Sequence, residues 1–411
     1  MAGASLIQLV ALGIQDIYLT GNPQITFWKI VYRRYTHFAR ELIELQFTGQ
    51  VGFGKQLTAT ISRNGDLIGN TYFVFRLPAI EPNVAQGSCG VYWSNAIGHV
   101  LLQEVDILIG GQIIDKQYGE WMEIWNELTE TYEHDYSELT GKRFTVEQLK
   151  WDASQNRTYY VPLQFWFCKN PGLALPLIAL QYHEVKIQIH TRPLDQCWVS
   201  EGNPHARPLK KGANCQITEN DLEASLYVQY VYLDGEERAR FAQSSHEYLI
   251  TQLQTSGPCN THLAGTGAQQ IPLNFNHPVK SIQFTVQQEC NIQQKNYFDY
   301  SGINGEDPVQ VVDLKLNNHS RFCPREGRWF RLGEPLEQVT RIPQKHIYLY
   351  GFGLDCEKHQ PSGTLNFSRI DNAVLILTLQ RSIGVVCSTV WAQNYNVLRV
   401  MAGMGGLAYS N

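Results

Sequence analysis

Short runs of alternating polar and apolar residues, separated by glycines and prolines, most constrain what this chain can fold into. Residues 185–190 (VKIQIH) and 281–287 (SIQFTVQ) alternate with a period of two, the spacing of a strand with one buried face. Residues 225–233 (SLYVQYVYL) and 372–379 (NAVLILTL) are denser and rich in β-branched and aromatic residues, as in strands buried on both faces. With 33 glycines and 17 prolines punctuating such runs, the pattern predicts β-sandwiches.

The first residues predict a short amphipathic helix within residues 4–15. Its apolar side chains recur at helical spacing and form one stripe, which consists of Leu6, Leu9, Val10 and Ile14. A helix of this length is marginal in isolation, so we expect it to dock on another surface; a frayed terminus is the alternative. Neither a secretory leader nor a stretch of ~18 apolar residues is evident, so we expect a soluble product.

Two further helices are predicted inside the chain. The helix at 118–132 places Trp121 and Trp125 on one face. Its other face carries glutamates that we expect to lie in water, namely Glu120, Glu123, Glu127 and Glu130. The helix at 233–243 begins at Asp234, a residue type that caps helix N-termini.

An internal echo indicates two copies of one fold. Residues 176–192 run from a proline through a turn into a strand that ends in Thr-Arg, and residues 361–381 repeat that order. Each is followed by a Tyr/Val/Leu-rich segment, at 226–235 and 395–406. Because both pairs occur in the same order, we infer a tandem duplication whose two copies meet near the helix at 235–243.

The charge content argues against nucleic-acid binding. Charged residues make up 17% of the chain, below the roughly 25% of an average soluble domain, as in a protein whose surface is covered by neighbouring subunits. The alternative is a large all-β protein rich in Gln, Asn and Thr, which can also be poor in charge. The formal net charge is −5, and basic residues never form long runs. A protein that coats nucleic acid needs a basic face for the phosphates, so we expect no direct contact with nucleic acid.

The nine cysteines predict reduced thiols. They are scattered singly along the chain, their number is odd, and no Cys-x-x-Cys pair occurs. This spacing argues against a disulfide framework and against a structural zinc site. We therefore expect all nine to be free.

No motif predicts catalysis or a cofactor. His183 and His190 lie seven residues apart on a period-two strand, whereas the metalloprotease pattern places two histidines four apart on a helix. The Gly-Lys pair at 54–55 lacks the spacing of a phosphate-binding loop, and no nucleophile elbow is present. The sequence therefore assigns no catalytic, cofactor-binding or metal-binding residue, which favours a structural role.

Six long blocks of the chain resemble the major capsid proteins of nucleocytoplasmic large DNA viruses. In order they are 21–39 (GNPQITFWKIVYRRYTHFA), 175–185 (LPLIALQYHEV), 232–250 (YLDGEERARFAQSSHEYLI), 273–284 (LNFNHPVKSIQF), 361–377 (PSGTLNFSRIDNAVLIL) and 391–411 (WAQNYNVLRVMAGMGGLAYSN). The blocks follow the order of the family and extend from near residue 20 to the last residue. This coverage makes the resemblance far more specific than any single short motif.

The resemblance implies an all-β fold: two tandem eight-stranded jelly-roll sandwiches (a double jelly roll) with short helical insertions. We assign residues 1–24 to an N-terminal arm with a short helix, 25–235 to the first jelly roll, and 236–411 to a linker helix and the second jelly roll. The resemblance further implies a homotrimeric capsomer of near-hexagonal outline that tiles an icosahedral shell. Its implied partners are neighbouring capsomers, minor capsid proteins and the internal viral membrane.

The implied location is the virion capsid, with synthesis and assembly in the host cytoplasm. Two alternatives remain open at this point. The chain could be a minor capsid paralogue of the same virus, or a carbohydrate-binding protein, since jelly rolls also host lectins.

The remaining candidate sites are few. Asn156, Asn318 and Asn366 stand in Asn-x-Ser/Thr sequons and are candidate glycosylation sites, although unmodified loop residues are the default. Arg369 and Asp371 stand at the mouth of the strand that begins near Ala373; we expect them to fix register between neighbours, alongside the apolar stripe of the first helix. The alternative is a local turn in which Asp371 caps backbone amides and Arg369 is solvated.

Overall fold

The computed structural model describes residues 3–28, 32–131, 135–213, 215–257, 260–263, 268–380 and 383–410. Contacts within the chain divide it into two units, residues 1–37 and residues 38–411. In the first unit the predicted helix at 4–15 is observed as one shorter helix, α1 (Gly3–Val10). A second short helix that the sequence did not predict, α2 (Asp16–Thr20), follows it.

The first half of the second unit consists of thirteen described strands and five helices. The strands are β1 (Phe38–Leu45), β2 (Gln56–Thr60), β3 (Leu67–Leu77), β4 (Ile80–Glu81), β5 (Gly90–Trp93), β6 (Leu102–Ile109), β7 (Gln112–Gln117), β8 (Arg157–Pro162), β9 (Leu175–Pro176), β10 (Val185–Thr191), β11 (Trp198–Glu201), β12 (Leu209–Lys210) and β13 (Glu223–Leu233). The helices are α3 (Ile97–Leu101), α4 (Gly119–Thr129), α5 (Ser137–Thr140), α6 (Val146–Ala153) and α7 (Trp166–Lys169). Short 3-10 turns lie at Val84–Gln86, Pro171–Leu173 and Leu194–Gln196.

The second half begins with helix α8 (Gly235–Gln243). Its described strands are β14 (His246–Thr255), β15 (Asn260–Leu263), β16 (Gln269–Pro272), β17 (Pro278–Gln288), β18 (Val309–Leu316), β19 (His319–Ser320), β20 (Arg325–Glu326), β21 (Ile347–Gly351), β22 (Leu365–Asn366), β23 (Ala373–Leu379), β24 (Val385–Met401) and β25 (Met404–Leu407). Its other helices are α9 (Glu289–Gln293) and α10 (Gly327–Gln338), and 3-10 turns lie at Ile303–Gly305 and Phe367–Arg369.

The two halves have the same strand order. In the first half, the main sheets run β1-β13-β3-β8 and β2-β10-β6-β7. In the second half, they run β14-β24-β17-β21 and β16-β23-β18-β19. Each half is therefore a sandwich of two four-stranded sheets with minor strands added at the edges, which is a jelly roll. The predicted fold class, two tandem eight-stranded jelly rolls with short helical insertions, is confirmed.

The echoed segments occupy equivalent places in the two halves. The strand in residues 176–192 is β10 and the strand in residues 361–381 is β23, and each lies second in its sheet. The segments at 226–235 and 395–406 contain parts of β13 and β24, which also lie second in theirs. The echo in the sequence thus reflects a repeated topology.

The alternation of buried and exposed residues along the strands shows which sheet faces form the two hydrophobic cores. Strand β10 buries Val185, Ile187 and Ile189 and turns the intervening residues away from the core, as a period of two requires. Strand β17 is buried along almost its whole length, because sheet partners flank it and other elements cover both its faces. Each sandwich accordingly has its own large apolar cluster, the first centred on the β3 and β6 strands and the second on β17 and β23.

Helix α8 begins where the sequence predicted. The Asp234 carboxylate accepts a hydrogen bond from the Glu237 amide at 3.0 Å and caps the helix between the two jelly rolls. Among the described helices, none combines the length and the apolar character that a membrane crossing requires.

The prediction that all nine cysteines are free is wrong for Cys387. Seven described cysteines are free, at positions 89, 168, 197, 215, 290, 323 and 356. Cys387, in strand β24, is disulfide-bonded, and Cys259 lies outside the described residues. The error arises because spacing along the chain carries no information about which strands pair: β24 pairs with β15, more than a hundred residues earlier.

Candidate functional site

Helix α4 joins the two jelly rolls, and we call its surroundings the seam. The helix follows strand β7 of the first roll and starts at Gly119, where the chain passes extremely close to neighbouring backbone. A Cβ atom at this position would lie 2.0 Å from the carbonyl oxygen of His99 and 2.2 Å from that of Leu102. Only glycine fits at that approach, so the glycine fixes where α4 lies.

The apolar face of α4 packs on the second jelly roll. Trp121 and Trp125 stack with ring centroids 5.6 Å apart, and Trp121 lies 6.1 Å from Trp391 of strand β24. The same buried cluster includes Leu253 of β14 and Ile347 of β21. The predicted tryptophan face is therefore confirmed, and it is an interface between the two sandwiches.

The prediction that the glutamates at 118–132 lie in water is wrong for Glu123, Glu127 and Glu130. Their side chains are only 1%, 2% and 10% exposed, while Glu120 is 39% exposed. Burying a carboxylate is unfavourable unless opposite charge and hydrogen bonds compensate it. The side chain of Glu123 has such partners from both rolls.

Three cationic or imidazole groups surround Glu123. Its Oε2 accepts a hydrogen bond from Nδ1 of His99 at 2.8 Å. Its Oε1 lies 2.6 Å from Nζ of Lys345, in the second roll, and 3.3 Å from Nζ of Lys142, in the first. Burial alone raises the pKa of Glu123, but Lys345, His99 and Lys142 outweigh burial and hold that pKa well below its ordinary value.

Glu127 and Glu130 extend this network along the helix. Glu127 accepts hydrogen bonds from Lys142 at 2.9 Å and from the backbone amide of Gln344 at 3.1 Å. Glu130 pairs with Arg341 at 2.5 Å. Since Arg341 and Gln344 belong to the second roll, the acidic face of α4 contacts the second roll as its apolar face does.

A second link across the seam connects strands β7 and β14. Oδ1 of Asp115 accepts a hydrogen bond from the Leu253 amide at 3.1 Å, and Oδ2 accepts one from Nε2 of Gln117 at 2.7 Å. Asp115 is 3% exposed, and this burial raises its pKa from 3.8 to about 7, although the hydrogen bonds act in the opposite direction.

The predicted assembly residues at the N-terminus are all exposed. The exposed fraction is 58% for Leu6, 71% for Leu9, 81% for Val10 and 84% for Ile14. Further large apolar side chains in the same unit are at least as exposed, including Phe27 at 95% and Trp28 at 91%. Such a density of exposed apolar residues is typical of an interaction surface.

Arg369 and Asp371 lie at an exposed turn before strand β23. Within the described part of the chain, neither side chain has a hydrogen-bond or ion-pair partner. The turn is held instead by Asn317, whose Oδ1 accepts from the amides of Asp371 and Asn372 at 3.1 and 3.0 Å. Sequence reasoning missed Asn317 because it lies 54 residues earlier in the chain.

The three sequon asparagines are exposed. Oδ1 of Asn156 accepts from the Ala79 amide at 2.7 Å, and Oδ1 of Asn366 accepts from the Ser368 amide at 3.0 Å. Asn318 lies in the tight β18–β19 turn with a φ of 66°. All three remain candidate glycosylation sites that await a test.

These features together define a double jelly-roll protein in which both sandwiches belong to one compact unit, residues 38–411, and an apolar N-terminal unit precedes it in the chain. Two family descriptions match nearly the whole chain. Residues 26–234 match the N-terminus of the major capsid protein, and residues 237–406 match the large eukaryotic DNA virus major capsid protein. The chain therefore belongs to the major capsid protein family of large eukaryotic DNA viruses.

The sequences of individual relatives align with this chain along their full length. The chain is similar to the major capsid proteins of Pyramimonas orientalis virus, at 43% identity, and Phaeocystis pouchetii virus, at 40%. It is 39% identical to that of Paramecium bursaria Chlorella virus 1. Each comparison covers 100% of both chains.

Solved structures show the same fold. PBCV-1 VP54, fitted into a cryo-EM reconstruction of the virophage Sputnik, matches with a TM-score of 0.78 and 34% identity over 94% of this chain and 100% of that one. The Faustovirus major capsid protein has a TM-score of 0.74 at 13% identity, over 97% and 96% of the two chains, which supports the fold alone. The chain is a structural component of the virion capsid and not an enzyme, as predicted.

We predict that Glu123→Gln destabilises the chain by about 3–5 kcal/mol at pH 7, because it leaves the partly buried Lys345 and the buried His99 without the compensating charge. Urea unfolding of the full chain measures the loss. The matched control is Glu236→Gln, an exposed glutamate in the first turn of α8, which should change stability by less than about 0.5 kcal/mol.

The effect of Glu123→Gln should also depend on pH. A depressed pKa contributes stability above the ordinary value of 4.5, and that stability is lost as the pH falls through the lower folded-state value. The gap between wild type and variant should therefore narrow as the pH is lowered from neutrality toward 3. A gap that stays constant would show that Glu123 stabilises by packing rather than by charge.

We predict the opposite pH behaviour for Asp115. Its raised pKa means that the folded chain keeps a proton which the unfolded chain releases between pH 3.8 and about 7. The stability contributed by Asp115 therefore declines as the pH rises through that window, by up to about 1.4 kcal/mol per pH unit.

Asp115→Asn removes this dependence, and the free Oε1 of Gln117 can accept from the new amide after the Gln117 side chain flips. Unfolding free energies measured from pH 5 to pH 8 should rise for the variant relative to wild type. Asp371→Asn, at an exposed position, should follow wild type throughout. Parallel profiles for wild type and Asp115→Asn would contradict the assignment.

Proposed function

We propose that the chain forms a homotrimer that serves as a pseudo-hexagonal capsomer and tiles the icosahedral shell of a large DNA virus. The observation that carries this proposal is the repeated topology. Three chains with two like sandwiches each supply six similar rolls, which is the number that a near-hexagonal outline needs. A trimer of single sandwiches would have no such outline.

The seam supports the same proposal. A capsomer with six-fold outline requires the two rolls of each chain to keep a fixed mutual orientation. The tryptophan cluster is non-directional, whereas the charge pairs of Glu123, Glu127 and Glu130 are directional and buried. Together they hold the two rolls as one block that can serve repeatedly as a tile.

We assign the parts of the chain accordingly. Residues 1–24 are the arm, 25–235 the first jelly roll, and 236–411 the linker helix and second jelly roll. The partners are two further copies in the trimer, neighbouring capsomers, minor capsid proteins and the internal viral membrane. Assembly takes place in the host cytoplasm.

The purified chain should be a compact trimer with a mass of three times the 46.9 kDa of one chain. The low charged fraction of 17% supports this expectation, because surface buried between subunits tends to be poor in charge. Size-exclusion chromatography with light scattering measures the mass directly. A monomer that persists across a wide concentration range would contradict the trimer.

We further propose that the N-terminal arm acts in assembly between capsomers. Its stripe of Leu6, Leu9, Val10 and Ile14 is exposed, and helix α1 has eight residues, too few to be stable alone in water. In a shell, the stripe would bind a neighbouring subunit, a minor capsid protein or lipid.

Deleting residues 1–20 should leave trimers with a near-normal melting temperature while shell assembly fails. In the full chain, Val10→Asp should reproduce the assembly defect, because it places a charge in the exposed apolar stripe. Gln8→Asp, at an exposed polar position of α1, is the matched control and should assemble normally. Electron microscopy of particles and thermal unfolding of trimers give the two readouts. If the truncated chain aggregates, or if its melting temperature falls by several degrees, the helix contributes to the folded core and the assembly role is wrong.

A further inference from the structure

Three potential metal ligands converge on the face of the first jelly roll's β2-β10-β6-β7 sheet that points away from the core. Glu104 and Asp106 are two residues apart on strand β6, so their side chains project from the same face. The β6–β10 register places His190 directly opposite Glu104. One donor atom from each of these residues lies within 4.8 Å of the other two.

This spacing is compatible with one bound cation. Metal–ligand distances of about 2.0–2.4 Å place any two donors of a shared ion less than about 4.8 Å apart. The cluster combines two carboxylates with one imidazole nitrogen. That donor set suits first-row divalent cations such as Zn²⁺ or Mn²⁺, whereas Ca²⁺ prefers six to eight oxygen ligands.

A second observation points to a ligand, namely a buried carboxylate oxygen of Asp106 that lacks a hydrogen-bond partner among the described residues. Asp106 is 3% exposed, and its Oδ1 has no hydrogen-bond partner in the described part of the chain. A buried carboxylate oxygen without a donor is unfavourable, and coordination of a cation would satisfy it.

Lys116 is the cation beside these carboxylates in the structure. It lies opposite Asp106 on strand β7, its Nζ contacts Oε1 of Glu104, and it is 3.8 Å from Oδ2 of Asp106. Its side chain is 38% exposed. The ammonium therefore neutralises the pair in part but can move into solvent, because a lysine stem is long and flexible.

We propose that Glu104, Asp106 and His190 form a binding site for a first-row divalent cation, and that Lys116 is a built-in competitor which the cation displaces. Metal and ammonium cannot both lie between the two carboxylates, so binding exchanges one cation for the other. The site bridges β6 and β10, and Lys116 adjoins Asp115, whose carboxylate binds the Leu253 amide across the seam. Cation binding would therefore stiffen the sheet next to the junction of the two rolls.

The test is titration of the full chain with ZnCl₂, and separately with MnCl₂ and CaCl₂, by isothermal calorimetry. We expect one site per chain for zinc or manganese, weaker binding of calcium, and a rise in melting temperature on saturation. Asp106→Asn and His190→Gln should each lower the affinity at least tenfold. Lys116→Met should raise it at least tenfold, which a purely structural ion pair would not do.

His183→Gln is the matched control, since His183 is the other histidine of the same segment but contacts the Gly405 backbone instead. It should leave the affinity unchanged. Melting temperatures without metal show whether each variant folds. If only one of Asp106→Asn and His190→Gln folds, the affinity of that variant alone tests the proposal. Absence of saturable binding by the wild type, or equal affinity in wild type and the folded ligand variants, would overturn the proposal. So would Lys116→Met binding no tighter than wild type.

Discussion

The rest of the structure depends on how the buried carboxylate of Glu123 is compensated. A charge that is 1% exposed is tolerated only where opposite charges meet it in fixed geometry, and here one comes from each roll, Lys142 and Lys345. Apolar contacts such as those of Trp121 resist separation of the rolls but allow sliding. The ionic contacts permit far fewer arrangements, so they define how the two sandwiches meet.

Local pattern predicted the fold well, since alternation and strand composition are local properties. The strands β10, β13, β17 and β23 lie where their patterns placed them, and the two echoes mark strands with equivalent positions in their sheets. The prediction that β13 and β23 are buried on both faces is wrong, because both bury mainly alternate residues, whereas the alternating β17 is buried along almost its whole length. The same kind of pattern gave the wrong environment for the acidic face of α4. Amphipathicity shows that one face of a helix differs from the other, but it does not show what each face contacts. The cations that compensate the buried charge of Glu123 are Lys142 and Lys345, which lie outside the helix.

For the candidate surfaces, too, the sequence predicted local features but not contacts between distant residues. The sequence predicted the apolar stripe of α1 but not whether other parts of the chain cover it, and in the structure it is exposed. The capping of the turn at 366–372 by Asn317 depends on strand pairing. Likewise, the sequence alone groups His190 with His183, which lies seven residues earlier. Register across β6 and β10 places it beside Glu104 and Asp106 instead, and register between distant strands cannot be read from one sequence.

The chain thus separates two kinds of contact. Inside the block, directional contacts between buried charges fix one geometry, as a repeated tile requires. In the N-terminal unit, exposed apolar side chains such as Leu9 and Val10 offer contacts that depend little on orientation. If the proposed shell holds, a tile meets neighbours at slightly different angles over its surface. Non-directional contacts tolerate that variation, whereas a buried ion pair would not, so the rigid contacts belong within the chain and the adaptable ones between capsomers.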